Sequence, residues 1–223
     1  MLSDNKENET QSIRTLSAEL SNLSRPDGSA IVAQGDTVVQ SAVYGPVEVR
    51  PNKELPDKAY FDIVYKPLTG LPGCPEKLRE RVIRNTLEAT LLVNLHPRKS
   101  INLILQEMQN DGGLLACCIN SACMALMDAG LAMKCLVAAL NAVITTEGDV
   151  LLDPSLKQEE EAKACFTFAF ESINHEVITS NTQGSYSETE FKKCLEICRS
   201  ASMKVFDFYR ECVQRRFSKE IDR

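Results

Sequence analysis

The chain has 223 residues, of which 43% are hydrophobic and 25% are charged. This is the composition of an ordinary soluble globular protein, and it excludes collagen-like, coiled-coil and wholly disordered chains. The 25 basic and 31 acidic side chains give a formal net charge of −6. The chain as a whole therefore repels polyanions, and only a local basic patch would bind nucleic acid.

We expect neither secretion nor membrane insertion. The first twenty residues are polar and charged, whereas a secretory signal needs an apolar core. The most apolar stretch, residues 116–143, is interrupted by Asn120, Asp128 and Lys134, so it falls short of the about 18 apolar residues of a membrane span. The nine cysteines are accordingly expected to be reduced, in the cytosol or nucleus, and no membrane partner is expected.

The N-terminal part predicts a tail followed by strands. Residues 1–13 are polar and without periodicity, which predicts a disordered tail. Short alternating segments then predict antiparallel hairpins, with a two-residue turn at Gly35-Asp36. The predicted strands are LSAELSNL, AIVAQ, TVVQSAVYG and, after a loop containing Pro46, Pro51 and Pro56, AYFDIVYK.

The middle of the chain predicts two helices around one strand. Leucine, valine and isoleucine recur at helical spacing over residues 75–95, with a proline at the first position. The strand INLILQEM follows. The pair Gly112-Gly113 then opens a helix that is apolar on nearly every face and that Gly130 closes.

The last third predicts a hairpin, two strands and a long helix. Residues 134–146 and 149–153 form the hairpin, KACFTFAFES and HEVITSN form the strands, and the helix begins at Ser187, whose capping box includes Glu190. With no internal repeat and no second linker, the pattern predicts one α+β domain over residues 14–217 and a C-terminal tail over residues 218–223.

The cysteines do not predict a metal site. No Cys-x-x-Cys pair occurs, and the only histidines are His96 and His175, whereas a zinc site needs four converging ligands. Cys194 and Cys198 are one helical turn apart, but they lie on an apolar stripe, where cysteine usually acts as a small buried hydrophobe. A Cys-His nucleophile has no support in the pattern. We therefore expect no metal and no cofactor.

Two other patterns allow either a ligand site or an ordinary structural role. Carboxylates in QEEEA, residues 158–162, could hold Mg²⁺, although such runs are usually solvated faces. The helix start at Gly112-Gly113 resembles an anion site. However, Leu114 and Leu115 follow it and offer neither a hydroxyl nor a cation, which favours packing.

Basic residues form three local groups, each interleaved with acids as on an ordinary solvated helix. Arg98 and Lys99, in a turn, are the best candidates for contact with RNA phosphates. The other groups lie on the first helix (Lys77, Arg79, Arg81, Arg84) and near the C-terminus (Arg215, Arg216, Lys219).

Four segments resemble the RNase PH family, in the order of that family and over nearly the whole chain. They are SRPDGSAIVAQGDTVVQSAVYGPVE, VIRNTLEATLLVNLHPRKSINLILQ, NDGGLLACCINSACMALMDAGLAM and LLDPSLKQEEEA. The DGGLLACCINSACMALMDAG segment is similar to the RNase PH-like ring subunits of the eukaryotic RNA exosome.

The resemblance implies an α+β fold of the ribosomal protein S5 domain 2-like class, with mixed β-sheets packed with helices. It also implies partners, namely other RNase PH-like exosome subunits, S1/KH cap subunits and single-stranded RNA that passes to a separate nuclease. It further implies a role in RNA processing and decay, including rRNA maturation, in the nucleus, the nucleolus and the cytoplasm.

The resemblance also implies that the active site is degenerate. Phosphorolytic members carry Gly-Thr-Arg at the start of the buried helix, where this chain has Gly113, Leu114 and Leu115. The family's acidic pair, spaced six apart, falls at or near Glu159 and Cys165, so its second carboxylate is lost. The implied function is a non-catalytic ring subunit.

The RNA contacts of such a ring subunit are expected at Arg84, Arg98 and Lys99. Two alternatives remain at this point. One is a ribonuclease with residual phosphorolytic activity or with metal-dependent hydrolysis at residues 159–161. The other is a homodimer that works outside the exosome.

Overall fold

The structure is a computed structural model and describes residues 12–221. The predicted N-terminal tail, residues 1–13, lies outside the described residues except for its last two. The helices and strands follow in the order β1 (Leu16–Leu20), β2 (Gly28–Gln34), β3 (Thr37–Glu48), β4 (Tyr60–Lys66), α1 (Cys74–Thr90), β5 (Lys99–Gln109), α2 (Leu114–Asp128), β6 (Val137–Ile144), β7 (Val150–Leu152), α3 (Leu156–Glu161), β8 (Ala164–Glu171), β9 (Val177–Gly184) and α4 (Glu188–Ile221).

The first sheet has five strands in the order β1-β2-β3-β5-β4. Its first three strands are the predicted hairpins, and β2 turns into β3 at Gly35-Asp36, where Gln34 pairs with Thr37. Strand β4 runs parallel to β5, with α1 as the crossover between them. One face of this sheet packs on α1 and α2.

The second sheet is antiparallel, in the order β7-β6-β8-β9. Strand β6 pairs with β8 over its full length, but with β7 only from Ala142 to Ile144. Side chains from the helices complete the unpaired edge of β6. Asn120 of α2 bonds the backbone N–H and C=O of Ala139, at 2.7 and 2.9 Å.

Helix α2 lies between the two sheets, where it contacts β2 and β3 on one side and β6 on the other. Nearly all of its side chains are buried, because it is apolar all round. Helix α4 packs on β6. It is joined to α2 through Tyr209, whose buried hydroxyl donates to Asn120 Oδ1 at 2.9 Å. The predicted α+β fold with mixed sheets and packed helices is confirmed.

Two local predictions were wrong, and one short helix was not predicted. Helix α1 ends at Thr90 instead of residue 95, because Leu91 forms a bridge with Met133 and the backbone turns away. Pro46 lies within β3 instead of a loop, at a shift in the β3–β5 register where a proline costs no ladder hydrogen bond. The acidic run after β7 forms the short helix α3, which Ser155 and Gln158 cap.

The described part of the chain ends in α4, which begins at the predicted capping box. The backbone N–H of Ser187 donates to Glu190 Oε2 at 2.7 Å, and the backbone N–H of Glu190 donates to Ser187 Oγ at 3.3 Å. The predicted C-terminal tail starts inside this helix, which continues to Ile221. Within residues 12–221, no helix is both long and apolar enough to cross a membrane.

Candidate active-site cleft

The turn between β5 and α2 places the start of the buried helix beside a surface cleft. Gly112 and Gly113 both have positive φ angles, of 87° and 65°, which side chains other than glycine rarely adopt. Close approach adds a second requirement, since a Cβ on Gly112 would lie 2.6 Å from the carbonyl oxygen of Pro154. The two glycines thus join the helix start to the segment after β7.

Arg14, just before β1, fixes this turn through hydrogen bonds to its backbone. Its Nη1 donates to the carbonyl oxygen of Asp111 at 2.9 Å, and its Nη2 donates to that of Gly112 at 3.2 Å. Nη2 also forms a 2.7 Å ion pair with Asp153, whose side chain is fully buried. Sequence reasoning missed Arg14, because its partners lie 97 to 139 residues away.

A cleft of about 330 Å³ opens beside the turn, between α1, the start of α2, α3 and strands β8 and β9. Leu114 and Leu115 form part of its wall. The charged side chains in the lining are Arg79 of α1 and Glu159 and Glu160 of α3. The rest of the lining consists of apolar side chains, Cys165 and uncharged polar side chains, namely Asn110, Asn141, Thr167, Asn181 and Gln183.

Glu159 reaches from α3 to the first turn of α2. Its Oε1 accepts a hydrogen bond from the backbone N–H of Gly113 at 2.8 Å and a very short one from Asn141 Nδ2. Burial raises the pKa of Glu159, although the Gly113 N–H, Arg14 and Asn141 each lower it. Asn141 was not predicted, but it is the only polar side chain in the strand VAALNAVI.

Cys165, on β8, lies in the same cleft. Its Sγ is 3.6 Å from the backbone carbonyl oxygen of Glu159. Burial and the charge of Glu159 raise the pKa of this thiol, which keeps it protonated and weakly nucleophilic at neutral pH. The structure therefore brings together Gly113, Leu114, Leu115, Glu159 and Cys165.

The acidic run does not act as a unit. Glu159 is half-buried in the cleft, Glu160 lines the cleft but is exposed, and Glu161 is exposed and outside the lining. In the part of the chain that the structure describes, no three histidine, cysteine, aspartate or glutamate side chains converge as metal ligands. Cys194 and Cys198 are buried, and burial raises the pKa of Cys194 to about 11.

Of the basic residues singled out in the sequence, Arg79 lines this cleft, whereas Arg84, Arg98 and Lys99 do not. Arg84 Nη2 is 3.2 Å from Asp62, and Arg98 Nε is 3.5 Å from Glu54. Lys53 bonds the same Asp62 at 3.0 Å, so these cations share one region of the surface. Lys99 is exposed at the start of β5. The Gly112-Gly113 turn beside the cleft follows the opposite end of β5. Eleven extended residues span about 35 Å, which separates Lys99 from this turn.

The fold and the cleft together define an α+β protein with a polar cleft at the N-terminus of a buried helix. The chain belongs to the 3′ exoribonuclease family typified by RNase PH. Residues 12–132 match domain 1 of that family and residues 135–201 match domain 2, so the two matches meet between α2 and β6.

Plant proteins and a rice structure are similar to this chain. It is 36% identical over 219 residues to the exosome complex exonuclease RRP46 homolog of Oryza sativa subsp. japonica, which covers 91% of this chain and 92% of the relative. The Arabidopsis thaliana protein of the same name is 34% identical over 224 residues, or 93% and 94% of the two chains. The crystal structure of rice Rrp46 superimposes with a TM-score of 0.88 at 37% identity, covering 92% of this chain and 97% of that one.

Proposed function

We propose that this chain is a non-catalytic ring subunit of an RNA exosome core, where it helps to pass RNA to a separate nuclease. The names of its plant relatives support the complex. The observation that carries the non-catalytic part is the pair Leu114 and Leu115 in the cleft wall, at the positions where phosphorolytic members of the family have threonine and arginine.

The physical reason is the demand of phosphoryl transfer for charge. Catalysis of this reaction consists almost entirely of positioning and electrostatic stabilisation. Two leucines replace a hydroxyl and a guanidinium with hydrocarbon, which offers no hydrogen bond to phosphate. A loss of about 4 kcal/mol in transition-state binding corresponds to about a thousandfold in rate.

The direct test incubates the purified protein, alone and in a reconstituted ring, with single-stranded RNA, Mg²⁺ and inorganic phosphate. We expect no nucleoside diphosphate above the buffer control. Diphosphate release that is abolished in a variant carrying Glu159→Gln, Glu160→Gln and Glu161→Gln would overturn the proposal.

A ribonuclease is the second candidate, and two observations favour it. The plant relatives are named exonucleases, and Glu159 lies in the cleft with a raised pKa, as a general acid would. In the same assay, nucleoside monophosphates released without dependence on phosphate would support metal-dependent hydrolysis instead.

The proposed partners are other RNase PH-like subunits, S1/KH cap subunits and single-stranded RNA. Purification of the tagged protein from nuclear and cytoplasmic fractions, with mass spectrometry of the co-eluting chains, tests this part. We expect the other ring and cap subunits in near-stoichiometric amounts from both fractions, and in nucleolar material if the protein serves rRNA maturation.

The state of the isolated chain separates ring membership from an independent homodimer. We expect the subunit to bind its ring neighbours in preference to itself, because obligate interfaces are large and apolar. Sedimentation that shows a stable homodimer, unchanged by added exosome subunits, would favour the homodimer. A well-behaved monomer at high concentration that binds none of them would contradict the ring proposal.

A further inference from the structure

The N-terminus of α2 binds a carboxylate of the chain itself, that of Glu159. The first N–H groups of a helix have no partner within the helix and commonly bind anions. In this structure the N–H of Gly113, which caps α2, donates to Glu159 Oε1 at 2.8 Å. Asn141 Nδ2 donates to the same oxygen from β6. One carboxylate oxygen thus receives donors from two separate elements.

A cation that is itself paired with Asp153 lies near this oxygen and acts on it through its charge. Arg14 lies directly behind the turn, since a Cβ on Gly113 would be 3.1 Å from Arg14 Nη2. The charge of Arg14 acts on Glu159 and lowers its pKa, while burial acts more strongly in the opposite direction. A backbone N–H, an amide donor and a nearby guanidinium are the groups that proteins use to bind oxyanions.

We propose that Glu159 is a built-in occupant of an oxyanion cradle formed by Gly113 N–H, Asn141 Nδ2 and Arg14, and that its side chain keeps inorganic phosphate out of the cradle. The cleft is then closed to phosphate by two separate features, the missing side chains at positions 114 and 115 and the carboxylate itself. This inference concerns anion binding alone and holds whether or not the protein is an exosome subunit.

The test compares the melting temperatures of four proteins in phosphate and in sodium chloride of equal ionic strength. They are the wild type, Glu159→Gln, Glu159→Ala and Glu161→Ala. Glutamine still fills the cradle without charge, and alanine empties it. Glu161→Ala removes an exposed carboxylate from the same short helix but outside the cleft lining, as a matched control.

We expect phosphate to raise the melting temperature of Glu159→Ala by about 3 °C more than that of the other three, if the emptied cradle binds it with about 10 mM affinity and phosphate is present at about 50 mM. An equal response of all four proteins would overturn the proposal. A specific response of the wild type would also overturn it, because the cradle would then be open.

A second measurement needs no variant and covers the case in which Glu159→Ala fails to fold. Hydrogen exchange of the Gly113 amide in the wild type reports its bond to Glu159 directly. We expect this amide to exchange at least about tenfold more slowly than the amide of Leu115, which has no acceptor within the helix. Equal exchange of the two amides would show that Glu159 does not occupy the cradle.

The leucine pair gives a last discriminating variant. The double variant Leu114→Thr/Leu115→Arg restores the side chains that are missing from the family pattern but leaves Glu159 in place. We expect it to remain without phosphate binding, and the triple variant that adds Glu159→Ala to gain it. Phosphate binding by the double variant alone would show that Glu159 does not block the cradle.

Discussion

At the scale of single residues, Glu159 links stability to pH. Burial raises its pKa above the ordinary value of 4.5, so the folded protein binds this proton more tightly than the unfolded chain does. Its contribution to stability is therefore highest below pH 4.5 and falls as the pH rises through the raised pKa. The glutamine in Glu159→Gln does not titrate. The stability of this variant relative to the wild type should therefore increase as the pH rises from 4.5 through the raised pKa of Glu159, and then stay constant.

Urea unfolding of both proteins at intervals from acid to neutral pH measures this difference. Asp153 and Arg14 also act on Glu159, but they are the same in both proteins. Glu161→Gln, exposed on the same helix and outside the cleft lining, controls for the loss of one charge. A difference between Glu159→Gln and the wild type that does not change with pH would contradict the assignment.

Arg14 is the residue that ties the turn at the start of α2 to the rest of the protein. Arg14→Lys keeps the charge but loses the fork that bonds Asp111, Gly112 and Asp153 together. We expect urea unfolding to show a loss of about 1–3 kcal/mol in the free energy of unfolding. Arg210→Lys alters an exposed pair with Asp207 and should stay within about 0.5 kcal/mol.

The candidate site could be read from the sequence only in part. Leu114 and Leu115 follow a glycine pair, and Glu159 and Cys165 follow from spacing once the family pattern is known. Arg14 could not be found, because its role depends on Asp153, a partner 139 residues away. A single arginine after a polar tail carries no local signal of such a contact.

At the scale of elements, strand β6 depends on a side chain of α2. Where β7 stops, Asn120 bonds both backbone groups of Ala139 and accepts from Tyr209. Asn120→Ala leaves a buried N–H and a buried C=O without partners, and we expect a loss of about 3 kcal/mol in urea unfolding.

Tyr209→Phe provides the graded control for that loss. It removes only the hydroxyl, while Asn120 keeps both bonds to Ala139, so we expect a loss of about 1 kcal/mol. Equal losses from the two variants would mean that packing around Asn120, and not the completion of the β6 edge, sets the cost.

The strands, the buried helix α2 and the start of the long helix α4 could be predicted because their sequence signals are local. Alternation and turn residues indicated the hairpins, the glycine pair indicated the start of α2, and the capping box indicated the start of α4. Helix α3 was missed because its six residues, LKQEEE, are too few and too polar to show an apolar period. The end of α1 was misplaced because Leu91 and Leu95 continue the leucine spacing, although tertiary contacts end the helix at Thr90.

At the scale of the whole molecule, the net negative charge means that any RNA binding by this chain requires a local basic patch. Arg98 is 71% exposed and Lys99 is also at the surface. We expect Arg98→Ala/Lys99→Ala to weaken RNA binding by a reconstituted ring at low salt, without preference for base identity. The slope of log affinity against log salt should fall by about 1.4, because each of the two cations that neutralises a phosphate accounts for about 0.7.

The matched control removes two cations elsewhere. Lys192→Ala/Lys193→Ala changes the net charge equally, on the exposed start of α4, and should leave the slope unchanged. Circular dichroism of both double variants checks that folding is intact. Equal effects of the two variants, or no effect of either, would place the RNA path outside the surface of Arg98 and Lys99.

The burial of α2 on both sides also means that the helix stays partly exposed while the rest of the chain is synthesised. The side of the helix that faces β6 and α4 is covered only when those elements have left the ribosome. Tyr209 follows Asp128 by about 80 residues, which takes about 4–16 s at ordinary translation rates. Throughout that interval a helix rich in cysteine, leucine and methionine presents an apolar flank to the cell. Nascent chains stalled between Asp128 and Tyr209 should therefore bind chaperones more strongly than chains released at full length.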